Sequence, residues 1–225
     1  MSEVRGQLLP VYVMADESMS MSNHLGELNA GLASLHEALI AEPMAAAKVR
    51  FSVLGFSDDV IVRLHLTDLR GENRLPELFS RGATNYSAAF TALLHHIPQD
   101  VASLKRDQFQ VHRPAVFFLS DGQPNDGGSW QEPHRRLTDR STTRAAPNII
   151  ACGIGDAEPE TILEVATHPD FAFVAIEGTQ VGSAIAKFCT ALTKSIVASG
   201  RSLTTDSPEL VVDRPEGFRL AIDVI

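Results

Sequence analysis

The sequence predicts an α/β protein. Its core is a doubly wound, mostly parallel six-stranded sheet with one antiparallel edge strand, followed by a C-terminal extension. Two observations carry this. Apolar runs of strand length alternate with segments of helical periodicity, the pattern of right-handed βαβ crossovers. One pair of runs is joined only by Ser57-Asp58-Asp59. A parallel crossover needs about a dozen residues or more, so that pair is a hairpin and one strand runs backwards, at an edge.

The elements follow in order. Residues 8–15, Leu8 to Ala15, read as a buried strand. Apolar positions at Leu25, Leu28, Leu32, Leu35 and Leu39 predict a helix over 23–41, with Pro43 as its stop. Residues 49–56 and 60–66 are the two strands of the hairpin. A helix is expected over 86–97, which puts His95-His96 at a helix end. Residues 115–119 form a strong strand signal between Pro114 and Ser120-Asp121-Gly122. The stretch from Pro124 to Ser129 reads as a polar loop, with Asp126-Gly127-Gly128 as its tip. A charged, peripheral helix is expected over 132–144, a strand over 148–154 and a short helix over 159–167 with Pro159 in its first turn. A strand over 171–174 and a long amphipathic helix over 181–197 complete the pattern. Composition shifts at Gly200, so residues 1–200 are expected to form the domain and 201–225 an extension. Within it, 218–225 alternates with period two, as an added edge strand or as an arm that pairs with another molecule.

At 225 residues the chain fits one large α/β domain. A net charge of −9, with Lys and Arg scattered, gives no basic stripe for nucleic acid. Cys152 and Cys189 read as small buried hydrophobes, with a long-range disulfide as the alternative. The N-terminus has no signal pattern and no apolar run is expected to reach the length of a membrane span, so the expected setting is cytoplasmic, without a membrane partner.

Three segments carry the chemistry. Asp16-Glu17-Ser18-Met19-Ser20 follows the first strand, Gly82-Ala83-Thr84-Asn85 precedes a helix, and Ser120-Asp121-Gly122 follows another strand. In open α/β sheets ligands sit beyond the carboxyl ends of the strands, where the strand order reverses. If 8–15 and 115–119 are central neighbours, Asp16 and Asp121 emerge side by side and the Thr84 loop reaches the same crevice. Residues 16, 18 and 20 of a loop can turn three oxygens inward while Glu17 and Met19 face away. Asp16, Ser18, Ser20, Thr84 and Asp121 supply two carboxylates and three hydroxyls, without Cys or His, a donor set for a hard divalent cation: Mg²⁺, with Mn²⁺ and Ca²⁺ as alternatives. Each segment alone also reads as a helix cap or a turn. Asp58-Asp59 reads as the hairpin turn and Trp130 as core or rim; His24, close to the first of these loops, reads as a solvated histidine, with an influence on partner binding as the alternative, and the eight histidines have no metal-ligand spacing.

These segments resemble the metal-ion-dependent adhesion site of von Willebrand factor A domains, over roughly residues 8–199. Leu28-Asn29-Ala30-Gly31-Leu32 and Leu119-Ser120-Asp121-Gly122-Gln123-Pro124 look most like the bacterial tellurite-resistance-associated TerY-like group. The resemblance implies a Rossmann-like fold with Asp16, Ser18, Ser20, Thr84 and Asp121 as metal ligands. It also implies a non-catalytic, metal-dependent module that binds an Asp or Glu of a partner protein, in a bacterial stress or tellurite-resistance pathway beside a kinase and phosphatase. Glu17 and Met19 depart from the residues usual there. The enzymatic alternative is a Mg²⁺-dependent phosphohydrolase with an Asp nucleophile. That chemistry wants a second carboxylate two residues later, where this chain has Ser18. A P-loop, a Gly-x-Ser-x-Gly elbow and a full dinucleotide fingerprint are missing from the sequence.

Overall fold

The structure is a computed structural model, and it describes residues 5–205 and 207–221. In chain order the elements are β1 (Gly6–Asp16), α1 (Leu25–Ile40), α2 (Pro43–Lys48), β2 (Val49–Phe56), β3 (Val60–Thr67), α3 (Tyr86–Arg106), β4 (Phe109–Val111), β5 (Ala115–Ser120), α4 (Gln131–Thr138), β6 (Asn148–Gly153), α5 (Pro159–Val165), β7 (Ala172–Ala175), α6 (Val181–Ser202) and β8 (Phe218–Leu220). Short 3₁₀ turns occupy Met19–Asn23, Leu69–Gly71 and Pro169–Phe171.

The sheet order is β3-β2-β1-β5-β6-β7-β8, with β4 paired to the start of β1. The six expected strands are all present, and β2–β3 is the antiparallel hairpin at one edge. Two short strands extend the sheet. β8 pairs antiparallel with β7, Phe173 opposite Leu220, so this part of the tail closes the other edge of the same sheet. Residues 222–225, the remainder of the expected tail strand, lie outside the described residues.

Alternation along β1 sorts the two cores. Val11, Val13 and Ala15 face the layer of α1 and α6, with Leu28, Leu32, Phe188 and Leu192. Tyr12 and Met14 face α3, with Tyr86, Phe90, Leu93 and Trp130. Both faces of the central strands are therefore covered, which is why they read as unbroken apolar runs. Trp130 belongs to the core: it is buried and lies 5.8 Å from the Tyr86 ring and 5.7 Å from Phe90. Cys152 and Cys189 are free and buried.

Several sequence expectations are corrected. The helix expected over 86–97 runs to Arg106 with Pro98 inside it. Proline is a strong local stop signal, but the apolar face continues through Val101 on the core side. His95-His96 therefore sits in mid-helix, not at an end. Pro43 opens α2 as well as following α1, the favoured first-turn position. The helix expected over 132–144 ends at Thr138, where Asp139 takes hydrogen bonds from Ser141 and Thr142 and turns the chain. The 22-residue α6 is long and apolar enough to cross a bilayer by length and composition, contrary to the expectation that no apolar run reaches that length. Its apolar face, Ile185, Phe188, Leu192 and Ile196 among it, is packed into the core against the sheet.

Candidate metal centre

β1 lies between β2 and β5, so the chain leaves β1 toward one side of the sheet and returns through α3 to the other. The strand order reverses at the β1–β5 crevice. Ala15 is level with Leu119 across that pair, which sets Asp16 beside Ser120 at the carboxyl ends of both strands.

Asp16 is fully buried. Its Oδ1 accepts the Ser18 backbone N–H at 2.8 Å, and its Oδ2 accepts the Ser120 hydroxyl at 2.6 Å. The Ser18 and Ser20 hydroxyl oxygens are 3.0 Å apart, and the Ser20 hydroxyl donates to Asp121 Oδ1 at 2.8 Å. Asp16, Ser18, Ser20 and Asp121 thus form one connected set of oxygens. Thr84, also buried, comes from the third loop: its hydroxyl oxygen would lie 4.0 Å from a Cβ placed on Gly122. Its carbonyl accepts the Asn125 N–H at 2.8 Å, joining that loop to the segment after Asp121. All five residues predicted from the sequence are brought to one crevice.

Burial pushes the Asp16 carboxyl up to about 6, against the hydrogen bonds from Ser120 and Ser18 that favour its charged form. Burial also raises Asp121, with the Ser20 hydroxyl and His24 pulling the other way. Two desolvated carboxylates side by side are what a bound cation would relieve. Among the described residues no three His, Cys, Asp or Glu side chains gather as a metal cage. The set is instead two carboxylates and three hydroxyls, hard and lightly charged, and it fits an oxygen-seeking divalent ion.

Four features were missed or misread from the sequence. Ser120 orients Asp16 from the neighbouring strand. His24 is not simply solvated: it is half-buried, and its Nδ1 is buried with no hydrogen-bond partner. Asp58-Asp59 is more than a turn. Asp58 accepts the Ala83 N–H at 2.9 Å and packs on Gly82, where a Cβ would lie 1.7 Å from its Oδ2; Asp59 pairs with Arg81.

The fourth is Glu17. It does face away from the other oxygens, but into the protein, and it is fully buried. Arg63 grips both of its oxygens, at 2.8 and 2.9 Å, and Arg81 Nε donates to Oε2 at 2.8 Å. The Phe79 N–H donates to Oε1 at 3.2 Å, and the Arg81 N–H to the Glu17 carbonyl at 2.6 Å. With the Met19 N–H donating to the Gly82 carbonyl at 3.0 Å, segment 79–82 is laced to segment 17–19. An acid directly after Asp16 and two distant arginines were the only sequence signals, and nothing in spacing joins them.

The von Willebrand factor type A domain family model matches residues 11–123. No curated protein is significantly similar to the chain. Among solved structures, the pilus adhesin SpaC from Lactobacillus rhamnosus GG superposes with a TM-score of 0.65 at 13% identity, over 86% of this chain and 30% of that one. Proximal thread matrix protein 1 from the mussel byssus, with a zinc-occupied metal-ion-dependent adhesion site motif, gives 0.59 at 16%, over 87% and 49%. A von Willebrand factor type A protein from Catenulispora acidiphila gives 0.55 at 14%, over 85% and 43%. The chain spans less than half the length of each of these three, and at these identities the likeness is one of fold.

Proposed function

This chain belongs to the von Willebrand factor type A domain family, and we propose that it is a non-catalytic protein-interaction module whose crevice binds a divalent cation, Mg²⁺ foremost, and an Asp or Glu carboxylate of a partner protein. One observation carries the reading: Asp16, Ser18, Ser20 and Asp121 form a single connected oxygen set where β1 and β5 end, with Thr84 beside it. The mussel protein's zinc-occupied motif supports a divalent ion in this family, and the pilus adhesin supports an adhesive role.

Asp16 and Asp121 at most balance the charge of a divalent ion, and the hydroxyls add none. Such a set retains affinity for one further anionic oxygen. A bound cation would supply Lewis-acid attraction for that oxygen, while the hydrogen bonds from Ser120 and the Ser18 N–H hold Asp16 in place. Ser18 supports a non-catalytic role. Its position is where a phosphohydrolase of this kind wants a general acid, and its hydroxyl is engaged with Ser20.

The finer setting is part of the same proposal: a cytoplasmic, TerY-like protein of a bacterial tellurite or stress response acting beside a kinase and phosphatase. It is supported by segments 28–32 and 119–124 of the sequence and by the two free buried cysteines. The test is calorimetric titration with Mg²⁺, Mn²⁺ and Ca²⁺ of the native protein and of Asp16→Ala, followed by partner affinity with Mg²⁺ and with chelator. Binding abolished in a folded Asp16→Ala protein, and partner affinity lost with chelator, are the expected results. Equal cation affinity in both proteins would remove the site assignment.

A further inference from the structure

Asp16, Ser18, Ser20 and Asp121 are linked to one another by hydrogen bonds, whereas the Thr84 hydroxyl makes none among the described residues. Where its oxygen stands is therefore decided by the backbone that carries it. That backbone is fastened on both sides of Thr84 to one place, the turn between β2 and β3. The Ala83 N–H donates to Asp58 Oδ1 at 2.9 Å. The Asn85 N–H donates to the Ser57 carbonyl at 3.1 Å, and Asn85 Nδ2 donates to the Asp58 carbonyl at 3.2 Å. The Asp58 carboxylate also fills the space that a side chain at Gly82 would take.

We propose that Asp58, which is not one of the five ligands, is a positioning residue of the centre: it holds the Thr84 loop so that the hydroxyl serves a Mg²⁺ ion better than a Ca²⁺ ion. This rests on the metal-binding reading above and says what makes that site selective. Mg²⁺ demands a near-ideal octahedral shell at about 2.0–2.1 Å, while Ca²⁺ accepts about 2.3–2.6 Å in flexible shells. A ligand free to drift by a few tenths of an ångström still serves Ca²⁺ and is lost to Mg²⁺. The Asp58–Ala83 bond is exposed, so its main contribution is geometry and not stability.

The turn is itself anchored, so it can serve as a reference. The Ser57 N–H donates to the Asp59 carbonyl at 2.9 Å. Asp59 pairs with Arg81, whose guanidinium also donates to the Gly55 and Asp59 carbonyls at 3.0 and 3.2 Å and to Glu17 at 2.8 Å. Glu17 follows Asp16, so the first ligand loop and the turn share one frame. Asp58 is the side chain that joins the Thr84 loop to that frame. A carboxylate near a cation could also act by charge alone. An amide separates the two effects: Asn keeps a carbonyl oxygen for the Ala83 N–H and drops the charge.

The experiment is calorimetric titration with Mg²⁺ and with Ca²⁺ of the native protein, Asp58→Ala, Asp58→Asn, Thr84→Ala and the Asp58→Ala/Thr84→Ala double variant, each shown to be folded by circular dichroism. Asp58→Ala is expected to lower Mg²⁺ affinity about tenfold, the low end for groups that orient metal ligands, and Ca²⁺ affinity less. Asp58→Asn should keep most of the Mg²⁺ affinity. In the Thr84→Ala background, Asp58→Ala should cost nothing further. Gly82→Ala tests the same contact from the other side, and it decides the matter should Asp58→Ala not fold: its Cβ would displace the Asp58 carboxylate, so Mg²⁺ affinity should fall. Native Mg²⁺ affinity in folded Asp58→Ala or in Gly82→Ala, equal losses in the Ala and Asn variants, equal falls for Mg²⁺ and Ca²⁺, or additive costs with Thr84→Ala would each overturn the proposal. Failure of the native protein to bind Mg²⁺, Mn²⁺ or Ca²⁺ would instead overturn the underlying metal reading.

Discussion

Arg63, on the edge strand β3, holds both carboxylate oxygens of Glu17, the residue between two of the proposed ligands. The pair ties the hairpin edge to the loop leaving β1, and Arg81 extends the tie to the segment leading to Thr84. The candidate centre therefore stands on a buried ionic support. Its members lie 46 and 64 positions from Glu17 in sequence.

Glu17→Gln is expected to destabilise the fold by about 2–4 kcal/mol, because it leaves two partly buried arginines facing a neutral group at a fully buried position, with Asp59 still beside Arg81. Denaturant unfolding measures it. A loss below about 1 kcal/mol, the size of an exposed pair, would mean the support contributes little.

Gly55→Ala tests the same support from the sheet side. A Cβ there would lie 2.2 Å from the Glu17 carboxyl carbon, so the side chain or strand must move. The expected cost is about 1–3 kcal/mol. In a Glu17→Ala background the clash is gone, so the same substitution should cost clearly less. Additive costs in the double-mutant cycle would contradict the contact.

Mg²⁺ should raise thermal stability, since an ion that binds only the folded state stabilises it by about 2.7 kcal/mol at a hundredfold excess over its dissociation constant. Asp16→Ala should remove that shift while remaining folded. A melting temperature that rises equally with Mg²⁺ in both proteins would place the ion elsewhere.

No phosphatase turnover is expected. Metal-dependent hydrolysis of p-nitrophenyl phosphate by the native protein, abolished in Asp16→Asn, would make the phosphohydrolase reading the better one.

His134 supplies a pH dependence away from the centre. Burial lowers its pKa from the ordinary 6.5, against the Val165 carbonyl and Glu164, which favour the charged form. Its ring packs 4.8 Å from Phe90. A lowered folded value means that the fold disfavours the protonated ring. The stability contribution is thus complete above about 6.5 and is lost as the pH falls through the lowered value. Unfolding free energies of the native protein and His134→Phe should therefore converge or cross on acidification. A constant difference from neutral to acid pH would refute it.

The five proposed ligands were legible because each ends or opens a strongly patterned element. Asp16 and Asp121 follow apolar runs, and Thr84 precedes a helix capped by Asn85. What spacing could not show was their support. Ser120 was visible only as part of a turn, yet it reaches across to Asp16. Glu17 was expected only to face away from the other oxygens, because nothing near it in sequence is basic. Helix ends were misjudged where local signals and packing disagree, as at Pro98, where the continuing core face of α3 prevails.

By itself the sequence determined the alternation of strands and helices, the backward edge strand and the oxygen chemistry of three loops. Those follow from residue type, local period and turn length, all short-range properties of the chain. Only the tertiary structure decided that β1 and β5 are neighbours and that Glu17 meets Arg63 and Arg81. Those depend on strand order and on desolvation of charges far apart in sequence. Burial is what turns Glu17 from one more surface acid into a group that must be paired, and no local pattern carries that information.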